Sequence, residues 1–212
     1  QRCTTARDAI RVMGELIEKY GYGDWGECLT IADPKEVWHF EVFGEGPDKI
    51  GGVWAAIRIP DDHVGVSANI PRISKVDPKD TDNCMASANV FEVAKRMGFW
   101  DGKKPFRFWE AYGGGNYSGE MKSFSIREFF ILNKLAPSLR LSYDAEELPI
   151  SVKPDRQVSV TDVMALLSET YEGTEYDMTQ NLKVAVKKKD SNETDTVISP
   201  VANPWMTRDM VN

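Results

Sequence analysis

Between Glu27 and Asn69 the chain places four short apolar runs about twelve residues apart: Glu27–Ala32, Glu36–Phe43, Val53–Ile59 and His63–Asn69. Asp33-Pro34-Lys35, a Gly-rich stretch and Pro60-Asp61-Asp62 separate them. Short runs closed by turn residues at this spacing favour strands joined by tight connections, and so predict an antiparallel meander of four strands. Within Glu36–Phe43 the period of two puts Trp38, Phe40 and Val42 on one face and Val37, His39, Glu41 and Phe43 on the other. This is the pattern of a half-buried strand whose first set packs inward.

Helical periodicity flanks the meander. Ala6, Ala9, Ile10, Met13, Leu16, Ile17 and Tyr20 recur at helical spacing within Thr4–Tyr20, and Gly21 and Gly23 follow as terminators. Val90–Met97 reads as a second helix. Ser125-Ile126-Arg127-Glu128 is a capping-box pattern opening an apolar run that Pro137 should stop. Ser159 caps a further helix expected to reach Tyr171, with Val163, Met164, Leu166 and Leu167 as its apolar stripe and Gly173 at its end. The fold class expected is α+β. With 212 residues, no internal repeat and no long Pro/Gly/Ser-rich linker, residues 1–212 read as one domain. The first helix starts within a few residues of Gln1, and the chain stops at Trp205-Met206-Thr207-Arg208-Asp209-Met210-Val211. The expectation is therefore an interior piece of a longer chain.

Composition narrows function mainly by exclusion. A net charge of −7 opposes phosphate backbones, so nucleic acid is not an expected partner. The basic run Lys187-Lys188-Lys189 is followed by Asp190 and Glu193 and reads as a solvated face. No apolar stretch approaches the roughly 20 residues that span a bilayer, so no membrane partner is expected either. Cys3, Cys28 and Cys84 are odd in number and lack CxxC spacing, which argues against a zinc ribbon or a full disulfide framework. There is no GxSxG, HExxH, Walker or dinucleotide signature. Gly113-Gly114-Gly115-Asn116 lacks the Lys-Ser/Thr pair of a phosphate cradle and reads as a loop. His39 and His63 fall on different strands without a carboxylate or Cys at a spacing specific for a metal, so both are read as structural.

Function enters through a resemblance. Ala6-Arg7-Asp8-Ala9-Ile10 leading to Ile17-Glu18-Lys19-Tyr20-Gly21 is followed by Asp33-Pro34-Lys35-Glu36-Val37-Trp38, Arg58-Ile59-Pro60-Asp61-Asp62 and Ser67-Ala68-Asn69-Ile70-Pro71-Arg72-Ile73. Further on come Lys153-Pro154-Asp155-Arg156-Gln157-Val158-Ser159-Val160, Leu166-Leu167-Ser168 and Tyr171-Glu172-Gly173-Thr174-Glu175-Tyr176-Asp177. In this order they resemble the dipeptidase A-type cysteine dipeptidases, relatives of the secernins within the N-terminal-nucleophile (Ntn) hydrolases.

The resemblance implies an αββα sandwich, dipeptide substrates, no metal or organic cofactor, and a nucleophilic Cys heading the mature chain. Cys3-Thr4-Thr5 has the look of such a start. A helix pattern follows it where the family has a strand, however, so the nucleophile is expected upstream of Gln1. Ser67-Ala68-Asn69-Ile70-Pro71 resembles a strand-end motif of the related bile-salt hydrolases and penicillin V acylases, which implies an oxyanion-hole role for Asn69. Arg127 resembles an arginine that favours the thiolate in those acylases. A simple turn at Asn69 and a surface or carboxylate-paired Arg127 stay open as alternatives. A penicillin V acylase-like amidase and a non-catalytic binding module of the same fold are the rival functions. Self-association as a homo-oligomer and cellular location are left open.

Overall fold

The computed structural model describes residues 2–47, 49–113, 122–177, 182–187 and 194–199. The chain divides into two units, 1–157 and 158–212. In the first unit, helix α1 (Ala6–Tyr20) begins where Thr5, in extended conformation, accepts a hydrogen bond from Asp8 N. It ends at Gly21, whose φ of 83° is left-handed and whose N–H returns to Ile17 O. Its buried line is Ala6, Ile10 and Gly14. Gly14 is small for a reason: a Cβ there would stand 2.5 Å from the indole carbons of Trp54. Gly14→Ala should therefore cost about 1–3 kcal/mol by overpacking, even though alanine gains up to about 1 kcal/mol in helix propensity. Urea unfolding checks this, and a neutral or stabilised variant would show the Trp54 contact to be loose.

Strands β1 (Glu27–Ala32), β2 (Val37–Gly44), β3 (Gly52–Ile59), β4 (Val64–Gly65) and β5 (Cys84–Ala86) follow. The main sheet is antiparallel in the order β1-β2-β3-β5, with Cys28 opposite Glu41 and Phe40 opposite Ala56. On one face Trp38, Phe40, Val42, Trp54 and Ala56 pack with Ala6 and Ile10 of α1, and Phe40 stacks on Trp54 with ring centroids 5.6 Å apart. The half-buried reading of β2 is corrected by the other face. Phe43, Val53, Ala55 and Cys84 form a second core with α2 (Val90–Arg96) and α3 (Phe108–Gly113), so β2 is buried on both sides from Trp38 to Phe43. Two-sided burial is why a polar pair such as His39 and Glu41 ends up inside.

The fourth expected meander strand is also corrected. Of His63–Asn69 only Val64–Gly65 is extended in a sheet, and it pairs with β6 (Ser151–Val152), not with β3. The main sheet takes β5 as its fourth strand instead. The physical reason lies in Asn69 and Pro71: Asn69 has φ of 57°, left-handed, and proline has no N–H for a ladder. Helix α4 (Ile126–Leu135) carries both halves of the capping box read from its sequence, and Pro137 opens a 3₁₀ turn after it.

In the second unit, α5 (Val160–Leu167) has Ser159 as N-cap with a reciprocal bond from Asp162, but ends four residues before Tyr171. Of its apolar stripe Val163, Met164 and Leu167 are exposed, Leu167 at 80%, while Leu166 is half-buried. Strands β7 (Leu182–Lys187) and β8 (Thr194–Ser199) form an antiparallel pair. Gly114, Gly115 and Asn116, Lys188 and Lys189, and residues 205–211 lie outside the described residues. The chain is thus α+β, a mixture of helices and antiparallel sheet. Among the described residues no helix is long and apolar enough to cross a membrane.

Candidate functional site

The β1–β2 register places Cys28 directly across from Glu41, and the period of two sets His39 on the same face of β2. Glu41 is 0% exposed. Its Oε1 meets His39 Nε2 at 2.6 Å and accepts the backbone N–H groups of Arg72 and, at 3.1 Å, Ile73. A carboxylate of the sheet therefore holds down the irregular segment 67–73, which crosses this face.

Helix α4 grips the same segment from its other side. Glu128, buried and part of the capping box, turns Oε1 to accept Ala68 N at 2.6 Å while its Oε2 accepts Ser125 N at 2.8 Å. Arg127 donates from Nη2 to Ala68 O and from Nη1 to Asn69 Oδ1 at 3.1 Å. The two residues singled out from sequence, Asn69 and Arg127, are 58 positions apart and hydrogen-bonded. This contact fixes the Asn69 amide with its oxygen toward Arg127, so the Nδ2 donors face away from it. Both side chains are exposed. Arg127 is paired with backbone and amide oxygens here, not with a carboxylate.

Three groups of this neighbourhood were not selected from sequence. Arg72 is buried and donates from Nη2 to Pro149 O at 2.6 Å, while its Nε and Nη1 have no hydrogen-bond partner. Burial pulls its guanidinium below the ordinary value, against the opposing pull of Glu128 and Glu41. Cys28 donates from Sγ to Ile70 O at 3.6 Å. Burial first, then the charges of Glu41, Glu27 and Glu128, push its thiol far above the ordinary value. A thiol so placed stays protonated and is a poor nucleophile. The third is Glu41, whose signal was available only in part: a carboxylate between Phe40 and Val42 in an apolar strand, whose place opposite Cys28 needs the β1–β2 register.

His39 needs correction as well. Glu41 at i+2 is a same-face spacing on a strand, and Cys28, His39 and Glu41 each bring a ligand-type atom within 4.8 Å of the others. His63 instead ties β4 to β6 through Nδ1 and Ser151 Oγ at 3.0 Å. A cavity of about 610 Å³ runs along this side, with Thr30, Trp38, His39, His63 and Ser67 in its wall. A second cavity of about 650 Å³, walled by Tyr20, Tyr22, Trp25, Phe43, Phe99 and Tyr112, contains none of the residues selected from sequence. Cys3 stands two residues before the N-cap of α1, and Cys84 is buried in the second core.

Comparison with known proteins agrees with this reading of the motifs. The sequence matches peptidase family C69 over residues 1–200, and the chain belongs to that family. Among its relatives, a probable dipeptidase of Salmonella dublin is 31% identical over 175 residues, covering 82% of this chain and 39% of that protein. A probable dipeptidase of Latilactobacillus sakei is 29% identical over 173 residues, 82% of this chain and 35% of its own length. Probable dipeptidase B of Streptococcus pyogenes serotype M1 is 27% identical over 173 residues, 80% and 32% respectively. The chain thus spans between 32% and 39% of the length of these relatives.

Proposed function

We propose that this chain is part of a dipeptidase that cleaves its substrate through an N-terminal cysteine lying in sequence before Gln1, within an Ntn-type αββα sandwich. The hydrogen bond from Arg127 to Asn69 Oδ1 carries this reading, because it presents the amide N–H group from within a segment pinned on both sides. None of the cysteines present suits the nucleophile's place: Cys3 leads into a helix, Cys28 is mid-strand and protonated, and Cys84 is in the core.

In the proposed reaction the free α-amine of the nucleophile takes the thiol proton, and sulfur attacks the dipeptide carbonyl carbon. The carbonyl π electrons move to oxygen, and Asn69 Nδ2 donates to the resulting oxyanion. Collapse breaks the C–N bond, the α-ammonium returns its proton to the leaving amine, and a thioester remains. Water then adds to the thioester carbonyl, and the first amino acid leaves as its acid while the thiol is restored. Arg127 acts as a positioning residue by holding the Asn69 amide, and adds positive charge near the oxyanion.

The test is the intact mass and N-terminal residue of the native protein, followed by dipeptide hydrolysis before and after iodoacetamide. A Cys-led terminus whose alkylation stops turnover is the expected result. A native protein without such a terminus would leave the non-catalytic module as the reading, and faster cleavage of phenoxyacetyl amides than of dipeptides would make it an amidase.

A further inference from the structure

We propose that Cys28, His39 and Glu41 form a binding site for a divalent transition-metal ion of the zinc type, set in the floor beneath segment 67–73. The three donors come from adjacent strands of one sheet face, so their backbone positions are fixed by ladder hydrogen bonds rather than by a loop. A thiolate, an imidazole and a carboxylate together suit a borderline-soft ion, and not magnesium or calcium, which favour all-oxygen sets.

The geometry is close to what such an ion needs. Zinc bond lengths of about 2.0–2.3 Å in a tetrahedron put neighbouring donors roughly 3.3–3.8 Å apart. The donors now lie within 4.8 Å of one another, with His39 Nε2 and Glu41 Oε1 at 2.6 Å. Small side-chain rotations, on the order of 1 Å at the donor atoms, bring the two sets of distances together.

Independent support comes from Glu41 itself. Its Oε1 already accepts Arg72 N and Ile73 N, while Oε2, fully buried, has no hydrogen-bond partner. A buried carboxylate oxygen without a partner is costly unless something positive meets it. The backbone bonds to Oε1 also supply the outer support that orients a ligating carboxylate. Charge points the same way: the buried Glu41 and Glu128 against the buried Arg72 leave one uncompensated negative charge in this neighbourhood, before Cys28 gives up its proton. His39 lies in the wall of the 610 Å³ cavity, although Cys28 and Glu41 do not; an ion and a water ligand would reach the donors from the His39 side. Binding displaces the thiol proton to solvent, so the apparent affinity must rise with pH.

The test is titration of the protein with Co²⁺ as a spectroscopic probe, which needs no turnover and so stands or falls apart from the dipeptidase reading. One equivalent should bring up a thiolate-to-cobalt charge-transfer band together with tetrahedral d–d bands. Cys28→Ser and His39→Gln should each abolish the charge-transfer band or weaken binding at least tenfold, while Cys3→Ser leaves both unchanged. In the unmutated protein, one equivalent of Zn²⁺ should displace the cobalt and abolish the charge-transfer band. No thiolate band, or a band that survives Cys28→Ser, would overturn the site.

Discussion

Replacing Glu41 with leucine should destabilise the protein by about 3–5 kcal/mol, a large part of the roughly 5–15 kcal/mol that holds a typical domain together. Leucine fills similar space, so the effect is not one of volume. It leaves the N–H groups of Arg72 and Ile73 without their acceptor, and His39 Nε2 without its partner, in a place where Glu41 is 0% exposed. Each buried donor left in this way costs about 1–3 kcal/mol. It also removes a negative charge near Arg72, whose guanidinium is already pulled below its ordinary value by burial. Glu41→Gln separates the two contributions. A glutamine oxygen can still accept the backbone N–H groups, so its cost should be about 1–2 kcal/mol, reporting the lost charge. Urea unfolding, with the slope compared across variants, measures both. A loss below about 1 kcal/mol in Glu41→Leu would show that segment 67–73 is held by α4 alone.

How far the sequence anticipates this arrangement depends on the range of the forces involved. The α1 helix, strands β1 to β3 and the α4 capping box follow from local periodicity and capping, and are found where the residues place them. His63–Asn69 shows the limit. Its apolar run resembles the preceding ones, but the partner that decides its pairing is Ser151–Val152, nearly ninety residues on, and Asn69 turns left-handed before a strand can extend. Glu128 shows another. As the third residue of a capping box it is fully explained by Ser125, yet its second oxygen holds Ala68 N sixty positions away. Cys28 and Glu41 become neighbours only once the β1–β2 register is known. Asn69 and Arg127 were reached through motif resemblance, and their contact is a matter of tertiary packing that no spacing rule contains. The apolar stripe of α5 was legible as a face, but periodicity does not report what covers it, and Val163, Met164 and Leu167 are exposed.

On the proposed dipeptidase mechanism, Asn69→Ala in the full-length protein should lower kcat by about 10²–10³-fold with KM changed little, the usual consequence of removing one oxyanion donor. In the proposed role the donor acts on charge that develops only after sulfur attacks, so ground-state binding has little to lose. Alanine carries a second effect here, because Asn69 sits at φ of 57° and a left-handed alanine costs about 1–2 kcal/mol. Asn69→Gly removes that complication: glycine adopts the conformation freely and lacks the amide, so it should lose as much kcat as alanine while unfolding at a urea concentration closer to the unmutated protein. Arg127→Ala is the third comparison. It leaves the amide in place but unheld, since the bonds from Arg127 to Asn69 Oδ1 and Ala68 O are lost, so kcat should fall less, by about tenfold. Steady-state rates on one dipeptide for the three variants decide the matter. If glycine at position 69 keeps kcat within threefold, Asn69 shapes the turn and the oxyanion is held elsewhere. If Arg127→Ala loses more than Asn69→Gly, the guanidinium rather than the amide supplies the main stabilisation, and the order of the two roles is reversed.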